Sequence, residues 1–120
     1  MKTNPEYLLS KAQKKIQEAE DELMKPNEDV VAFSVCNQSK MAIKILLESY
    51  LIKNNLNFNE QEPLALLLER CATYNPNFKS IDLSNMNCRN TPNSQNYCDD
   101  IAKVSSCLTV AKQIEKLIAN

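Results

Sequence analysis

Residues 30–53 form the most apolar stretch of this chain and contain neither glycine nor proline. Fifteen of these 24 residues are apolar. On a helix they leave one polar stripe, in which Asn37, Lys40, Lys44 and Glu48 follow one another at intervals of three or four residues. A helix that is apolar around most of its circumference is normally surrounded by other elements. The stretch therefore predicts the central helix of a small bundle.

Residues 5–25 and 94–119 predict two further long helices. In each segment, apolar residues recur at intervals of three or four positions, which gives a single apolar stripe. Asn4 can cap the first of these helices and Pro5 suits its first position. Asn27 is the expected cap of the central helix that follows. The acidic cluster of Glu18, Glu20, Asp21 and Glu22 is expected to form a solvated face of the first helix.

A shorter helix is predicted from Pro63 to the turn at residues 75–77, with Asn59 or Glu62 as its cap. Phe78 and the apolar residues after it suggest a short helical turn. No strand-like alternation of any length occurs. The sequence therefore predicts a single domain over residues 1–120. Its fold class is all-α, an antiparallel up-and-down bundle of four main helices plus a short connecting helix.

The composition narrows the functional classes. The net charge of −1 does not favour a broad phosphate-binding surface, although a local basic patch is compatible with it. The absence of glycine excludes phosphate-binding loops of the Walker or dinucleotide type. The N-terminal residues lack the apolar run of a signal peptide, and no segment is long enough to span a membrane. We therefore expect a cytoplasmic protein without membrane contact.

The five cysteines are an odd number, and no two have the CxxC spacing. A mixed Cys/His zinc site is excluded because the chain has no histidine. We expect the cysteines to be small apolar packing residues with unoxidised thiols. No metal or cofactor is expected, and no catalytic constellation is apparent.

The order and lengths of these segments resemble the HEPN family (higher eukaryotes and prokaryotes nucleotide-binding). The resemblance covers nearly the whole chain, in the blocks NPEYLLSKAQKKIQEAEDEL, EDVVAFSVCNQSKMAIKILLESYLIKNN, EPLALLLERC, YNPNFKSIDLS and the final helix around Tyr97. It implies an up-and-down bundle that often forms a homodimer. Many such proteins are encoded beside, or fused to, a minimal nucleotidyltransferase in toxin–antitoxin-like modules. A nucleotide or RNA ligand is also compatible with the resemblance, although the net charge does not support one.

The ribonuclease branch of this family carries an arginine followed, a few residues later, by a histidine. Arg89 lies near the corresponding place, but the histidine is missing because the chain has none. Tyr97 is a poor substitute, since an unperturbed tyrosine has a pKa near 10. Ribonuclease activity by the family's route is therefore not expected. Arg89 and Tyr97 remain candidates for binding a ligand.

The central helix also departs from the family pattern, which has a Glu followed four residues later by a Lys. Gln38 and Ala42 match, but Lys44 and Glu48 occupy those charged positions in exchanged order. The candidate binding residues on this helix are Asn37, Lys40, Lys44 and Glu48, a stripe that Ser34, Gln38 and Ser39 are expected to widen. Three interpretations stay open: a non-catalytic binding domain, a degenerate ribonuclease, and a helical interaction scaffold without a nucleotide ligand.

Overall fold

The computed structural model describes residues 4–59, 61–83 and 101–119, without the side chains of residues 27, 101–104 and 119. Its four α-helices are α1 (Pro5–Leu23), α2 (Ala32–Lys53), α3 (Leu64–Tyr74) and α4 (Ile101–Ala119). Two 3-10 turns lie at Asn27–Asp29 and Pro76–Ser80. The described ranges contain no strand. The predicted all-α bundle is confirmed.

The first helix begins and ends close to the predicted positions. The side chain of Asn4 accepts a hydrogen bond from the backbone N–H of Glu6 at 2.8 Å, as the expected cap should. Helix α1 ends at Leu23, two residues earlier than predicted. Its core face consists of Ala12, Ile16 and Ala19, which are buried.

The connection between α1 and α2 differs from the prediction. Asn27 does not cap α2, because Asn27–Asp29 forms a separate 3-10 turn and Val31 occupies the N-cap position. The valine side chain has no oxygen that could accept a capping hydrogen bond. The Glu22 carboxylate accepts a hydrogen bond from the backbone N–H of Val31 at 2.9 Å. A carboxylate at the end of α1 thus satisfies a donor at the start of α2.

Helix α2 is the central helix, as predicted. It packs against α1 most extensively, then against α4 and α3. It runs antiparallel to α1, since Ser49 near its end donates a 3.0 Å hydrogen bond to the carbonyl of Pro5 at the start of α1. Beyond its last residue, Asn55 takes the left-handed conformation with φ of 58°, which asparagine adopts more readily than most residues.

Helix α3 is not capped by either predicted side chain. Pro63 occupies the N-cap position. Asn59 accepts a hydrogen bond from the N–H of Gln61, and Glu62 forms two hydrogen bonds with the Arg70 guanidinium, at 2.7 and 2.6 Å. The predicted cap residues therefore stabilise the turn before α3 and its exposed side.

The 3-10 turn after α3 attaches to the core through one aromatic side chain. Phe78 is fully buried, and its ring centroid lies 4.8 Å from that of Tyr50 in α2. Asn75 donates a hydrogen bond to the Tyr50 hydroxyl at 3.2 Å. The predicted short helical turn therefore exists, and it is held against α2.

The last helix presents its predicted apolar stripe to the core. Leu108, Ala111, Ile114 and Ile118 are buried. Residues 94–100, which were predicted to form its first turns, lie outside the described residues. Lys112 of α4 forms a 3.1 Å ion pair with Glu20 of α1, so part of the acidic segment joins two helices instead of facing water alone. None of the described helices is long and apolar enough to cross a membrane.

The expectation of five unoxidised thiols is wrong, because Cys36 is oxidised. Cys36, which is buried in α2, is disulfide-bonded, and its partner lies outside the described residues. Cys71 and Cys107 are buried thiols, in agreement with the packing role. Counting cysteines cannot reveal which of them the fold brings together. Because disulfides persist mainly in oxidising compartments, this bond gives no support to the cytoplasmic expectation.

Candidate functional site

Four of the predicted binding residues, Asn37, Lys40, Lys44 and Glu48, lie on one side of α2. Together with Met41, which was not predicted, they form what we call the α2 face. Asn37 and Met41 are exposed, whereas the three charged residues are half-buried. The Asn37 amide donates a 3.7 Å hydrogen bond to the Met41 sulfur. The face therefore combines charged groups with an exposed thioether on the helix that contacts all three of the others.

The charged members of the α2 face differ in their contacts. Lys40 and Glu48 each take part in an interaction within the chain. The ion pairs between described side chains do not include one between Lys44 and Glu48, although the two lie one turn apart. Lys44 is therefore the charged member of this face that has no described polar partner.

The expected widening of the stripe by Ser39 is wrong. Ser39 is fully buried, because it shares the core side of α2 with Cys36 and Ile43, three residues before it and four after it. Its hydroxyl oxygen makes no hydrogen bond with the described residues, and neither does the buried side-chain oxygen of Gln38. The α2 face is thus narrower at its N-terminal half than the sequence suggested.

The other two predicted binding residues, Arg89 and Tyr97, lie outside the described residues. The interpretation as a degenerate ribonuclease depends on these two residues, and it remains a hypothesis from the sequence.

The ionisable groups with perturbed pKa values have structural partners. The hydrogen bond from Val31 and the neighbouring Lys25 lower the pKa of the Glu22 carboxyl below its ordinary 4.5. The Arg70 guanidinium similarly lowers the pKa of Glu62, and Glu62 raises that of Arg70. These shifts favour the charged forms, so the groups stay ionised near neutral pH and hold helix ends in place.

Cys71 has a thiol whose pKa is strongly shifted. Burial raises its pKa to about 12, and its sulfur lies 3.8 Å from the carbonyl oxygen of Leu47. A nucleophilic cysteine needs a thiolate near neutral pH. The Cys71 thiol is therefore protonated and packs as an apolar group.

Two of the cavities that are lined by described residues lie away from the α2 face. The larger, of about 440 Å³, is lined by Leu56, Asn57, Arg70, Thr73 and Tyr74. Arg70, the cationic residue in this lining, already forms an ion pair with Glu62. The second, of about 370 Å³, lies along α1 and is lined by Tyr7, Ser10, Lys11, Lys14, Lys15 and Glu18.

Sequence reasoning missed the α1 cavity because it treated these lysines as the polar side of an amphipathic helix. The signal was present in the spacing, since Lys11, Lys14 and Lys15 are three and four residues apart and must share one face. The described residues contain no cluster of three or more acidic or sulfur ligands that could hold a metal ion. Comparison with protein-family models, with curated proteins and with solved structures finds no match to the chain.

Proposed function

We propose that this protein is a non-catalytic, HEPN-like helical binding domain that works as a homodimer through the α2 face. The observation that carries the proposal is the composition of this face. Half-buried charged groups of both signs surround the exposed side chain of Met41 on the central helix. A binding surface on a rigid, well-packed helix holds its side chains in place better than one on a loop.

The α2 face is complementary to a second copy of itself. Lys44 and Glu48 are one turn apart, so two copies of α2 meeting in opposite directions can set Lys44 of one protomer beside the partner's Glu48. A two-fold axis repeats this contact, which is the arrangement of an isologous dimer. A carboxylate has about four lone-pair positions, so Glu48 can accept a further hydrogen bond besides its interaction within the chain.

The perturbed ionisations support binding over catalysis. A general acid or base works best with a pKa near the operating pH. The pKa values of the Glu22 and Glu62 carboxyls are lowered, which moves them further below neutral pH. The raised pKa of Cys71 keeps its thiol protonated. The resemblance further implies a minimal nucleotidyltransferase as the partner of the dimer, with a nucleotide as a ligand.

Size-exclusion chromatography with light scattering tests the dimer. The wild-type protein should elute as a dimer at micromolar concentrations, and Met41→Glu should elute as a monomer because it buries a charge against the partner. Met24→Glu is the matched control, since Met24 is 81% exposed at the end of α1. A monomeric wild-type protein would contradict the proposal, as would equal effects of the two variants.

A charge reversal tests which face is used. Lys44→Glu should weaken the dimer, whereas Lys53→Glu should leave it intact, because Lys53 is exposed at the last position of the same helix and lies outside the α2 face. The double variant Lys44→Glu/Glu48→Lys should recover part of the dimer. Co-purification with a minimal nucleotidyltransferase, with Lys44→Glu as the comparison, then tests the implied partner.

A further inference from the structure

We infer that the cavity along α1 is a binding site for a compact polyphosphate anion, either an inorganic chain or the phosphates of a nucleotide. The site is formed by Lys11, Lys14 and Lys15, with the hydroxyl of Ser10 and the ring of Tyr7 beside them. It lies on α1, so it is separate from the α2 face and its existence does not depend on a dimer.

The first argument is the position of the lysines. Tyr7, Lys11, Lys14, Lys15 and Glu18 follow at intervals of four, three, one and three residues, which places all five on one side of the helix. This side is distinct from the core side formed by Ala12, Ile16 and Ala19. Three cations and one anion line the cavity, so its formal charge is +2 in a protein whose net charge is −1.

The second argument is that these cations are not neutralised. Lys25, Arg70 and Lys112 each pair with a glutamate within 4 Å. Within the described ranges, Lys11, Lys14 and Lys15 form neither such an ion pair nor a side-chain hydrogen bond. Like charges three or four residues apart on a helix repel one another, which lowers the stability of the helix. An anion bound between them would relieve that repulsion.

The third argument is the shape of the site. The volume of about 370 Å³ falls in the lower part of the range of roughly 300–1,000 Å³ that ligand pockets occupy, which suits a small ligand. Lys11 and Lys15 are separated by about 6 Å along the helix axis. Ammonium groups spread over this length match successive phosphates of a chain better than one isolated phosphate. The Tyr7 ring is 62% exposed at one end and can stack on a planar group.

Calorimetry with inorganic tripolyphosphate tests the site. The wild-type protein should bind, with an affinity that falls as salt is added. In Lys11→Gln/Lys14→Gln/Lys15→Gln the affinity should fall at least ~10-fold, since a charge-assisted hydrogen bond is worth about one order of magnitude in the dissociation constant. The control variant Lys53→Gln/Lys79→Gln/Lys116→Gln makes the same change in charge at exposed lysines elsewhere. Its affinity for tripolyphosphate should stay within about twofold of the wild-type value.

Further variants and ligands keep the test decisive. The triple Arg variant of Lys11, Lys14 and Lys15 should bind, which excludes unfolding as the cause of any loss. Orthophosphate should bind more weakly than tripolyphosphate. Equal losses in the Gln triple variant and its control would overturn the proposal, as would equal affinity for the two anions. Binding of single-stranded RNA by a protein that fails to bind tripolyphosphate would also overturn it.

The two sources of polyphosphate are distinguished by Tyr7. If a nucleotide is the ligand, ATP should bind more tightly than tripolyphosphate, and Tyr7→Ala should remove that advantage. If the ligand is an inorganic chain, ATP should bind no more tightly and Tyr7→Ala should leave both affinities unchanged. Both results support a polyphosphate site, and they differ in the source of the anion.

Discussion

Replacing Ser39 with alanine should stabilise the protein, whereas the same change at Ser49 should destabilise it. Both serines are buried in α2, so their backbone contexts are alike. Their hydroxyls differ, because Ser49 donates a 3.0 Å hydrogen bond to the Pro5 carbonyl, whereas the Ser39 oxygen has no hydrogen-bond partner among the described residues. The pair therefore isolates the energetic effect of a satisfied and an unsatisfied buried hydroxyl.

The magnitudes follow from the cost of burying a hydroxyl. An unpaired buried polar group costs ~1–3 kcal/mol, and alanine in a helix is favoured over serine by roughly 0.5 kcal/mol. Allowing for the packing contacts that the oxygen makes, Ser39→Ala should raise the free energy of unfolding by about 1 kcal/mol. Ser49→Ala loses a hydrogen bond worth ~1 kcal/mol and gains the same helix preference, so the net loss of stability should be about 0.5 kcal/mol.

Urea unfolding followed by circular dichroism at the helical band measures this difference. With a slope of ~1–3 kcal/mol per molar urea for a small protein, the two midpoints should lie about 1 M apart on opposite sides of the wild-type value. A loss of stability in Ser39→Ala equal to that in Ser49→Ala would refute the reasoning. It would mean that the Ser39 hydroxyl has a hydrogen-bond partner in solution.

Other predictions concern the core, the helix junction and the thiols. Phe78→Ala should lower the free energy of unfolding by ~3–5 kcal/mol, because the ring is fully buried against α2. Tyr74→Ala should lower it much less in the same urea titration, because the Tyr74 side chain is 52% exposed. Glu22→Gln should destabilise the protein at pH 7, because folding lowers the pKa of this carboxyl. The stability that the charged carboxylate contributes is present above about pH 4.5 and is lost as the pH falls through the folded-state pKa. The difference from wild type should therefore shrink in acid. Alkylation followed by mass spectrometry should leave Cys71 unmodified at pH 8 in the folded protein, because its pKa is raised to about 12, and should modify it in urea; rapid modification of the folded protein would contradict a buried, protonated thiol.

The sequence predicted the helices well, because their signals are local. The Asn4 cap, the apolar spacing along α1 and the density of apolar residues in α2 depend only on neighbours along the chain. The connection between α1 and α2 was predicted less well. Asn27 has the right chemistry for a cap, but Glu22 reaches the start of α2 from the preceding helix. That choice depends on how α1 and α2 pack, which local spacing does not encode.

The candidate sites show the same division. Spacing alone placed Asn37, Lys40, Lys44 and Glu48 on one side of a helix, and it could have placed Lys11, Lys14 and Lys15 on one side of another. Spacing could not show that Ser39 is buried. A serine at the border between the polar and the apolar sides of a helix can face water or the core, and the packing of the neighbouring helices decides which. Spacing also could not show which lysines are paired, since the pair between Lys112 and Glu20 joins distant parts of the chain.

The sequence by itself determined that this protein is a helical bundle around α2, since helical periodicity and the apolar excess of residues 30–53 are properties of the chain. Only the tertiary structure decided which polar groups are exposed, which are paired and which are buried. Burial and pairing arise from contacts between helices that are far apart in sequence. The α1 cavity and the narrowed α2 face therefore became apparent only when the helices were assembled.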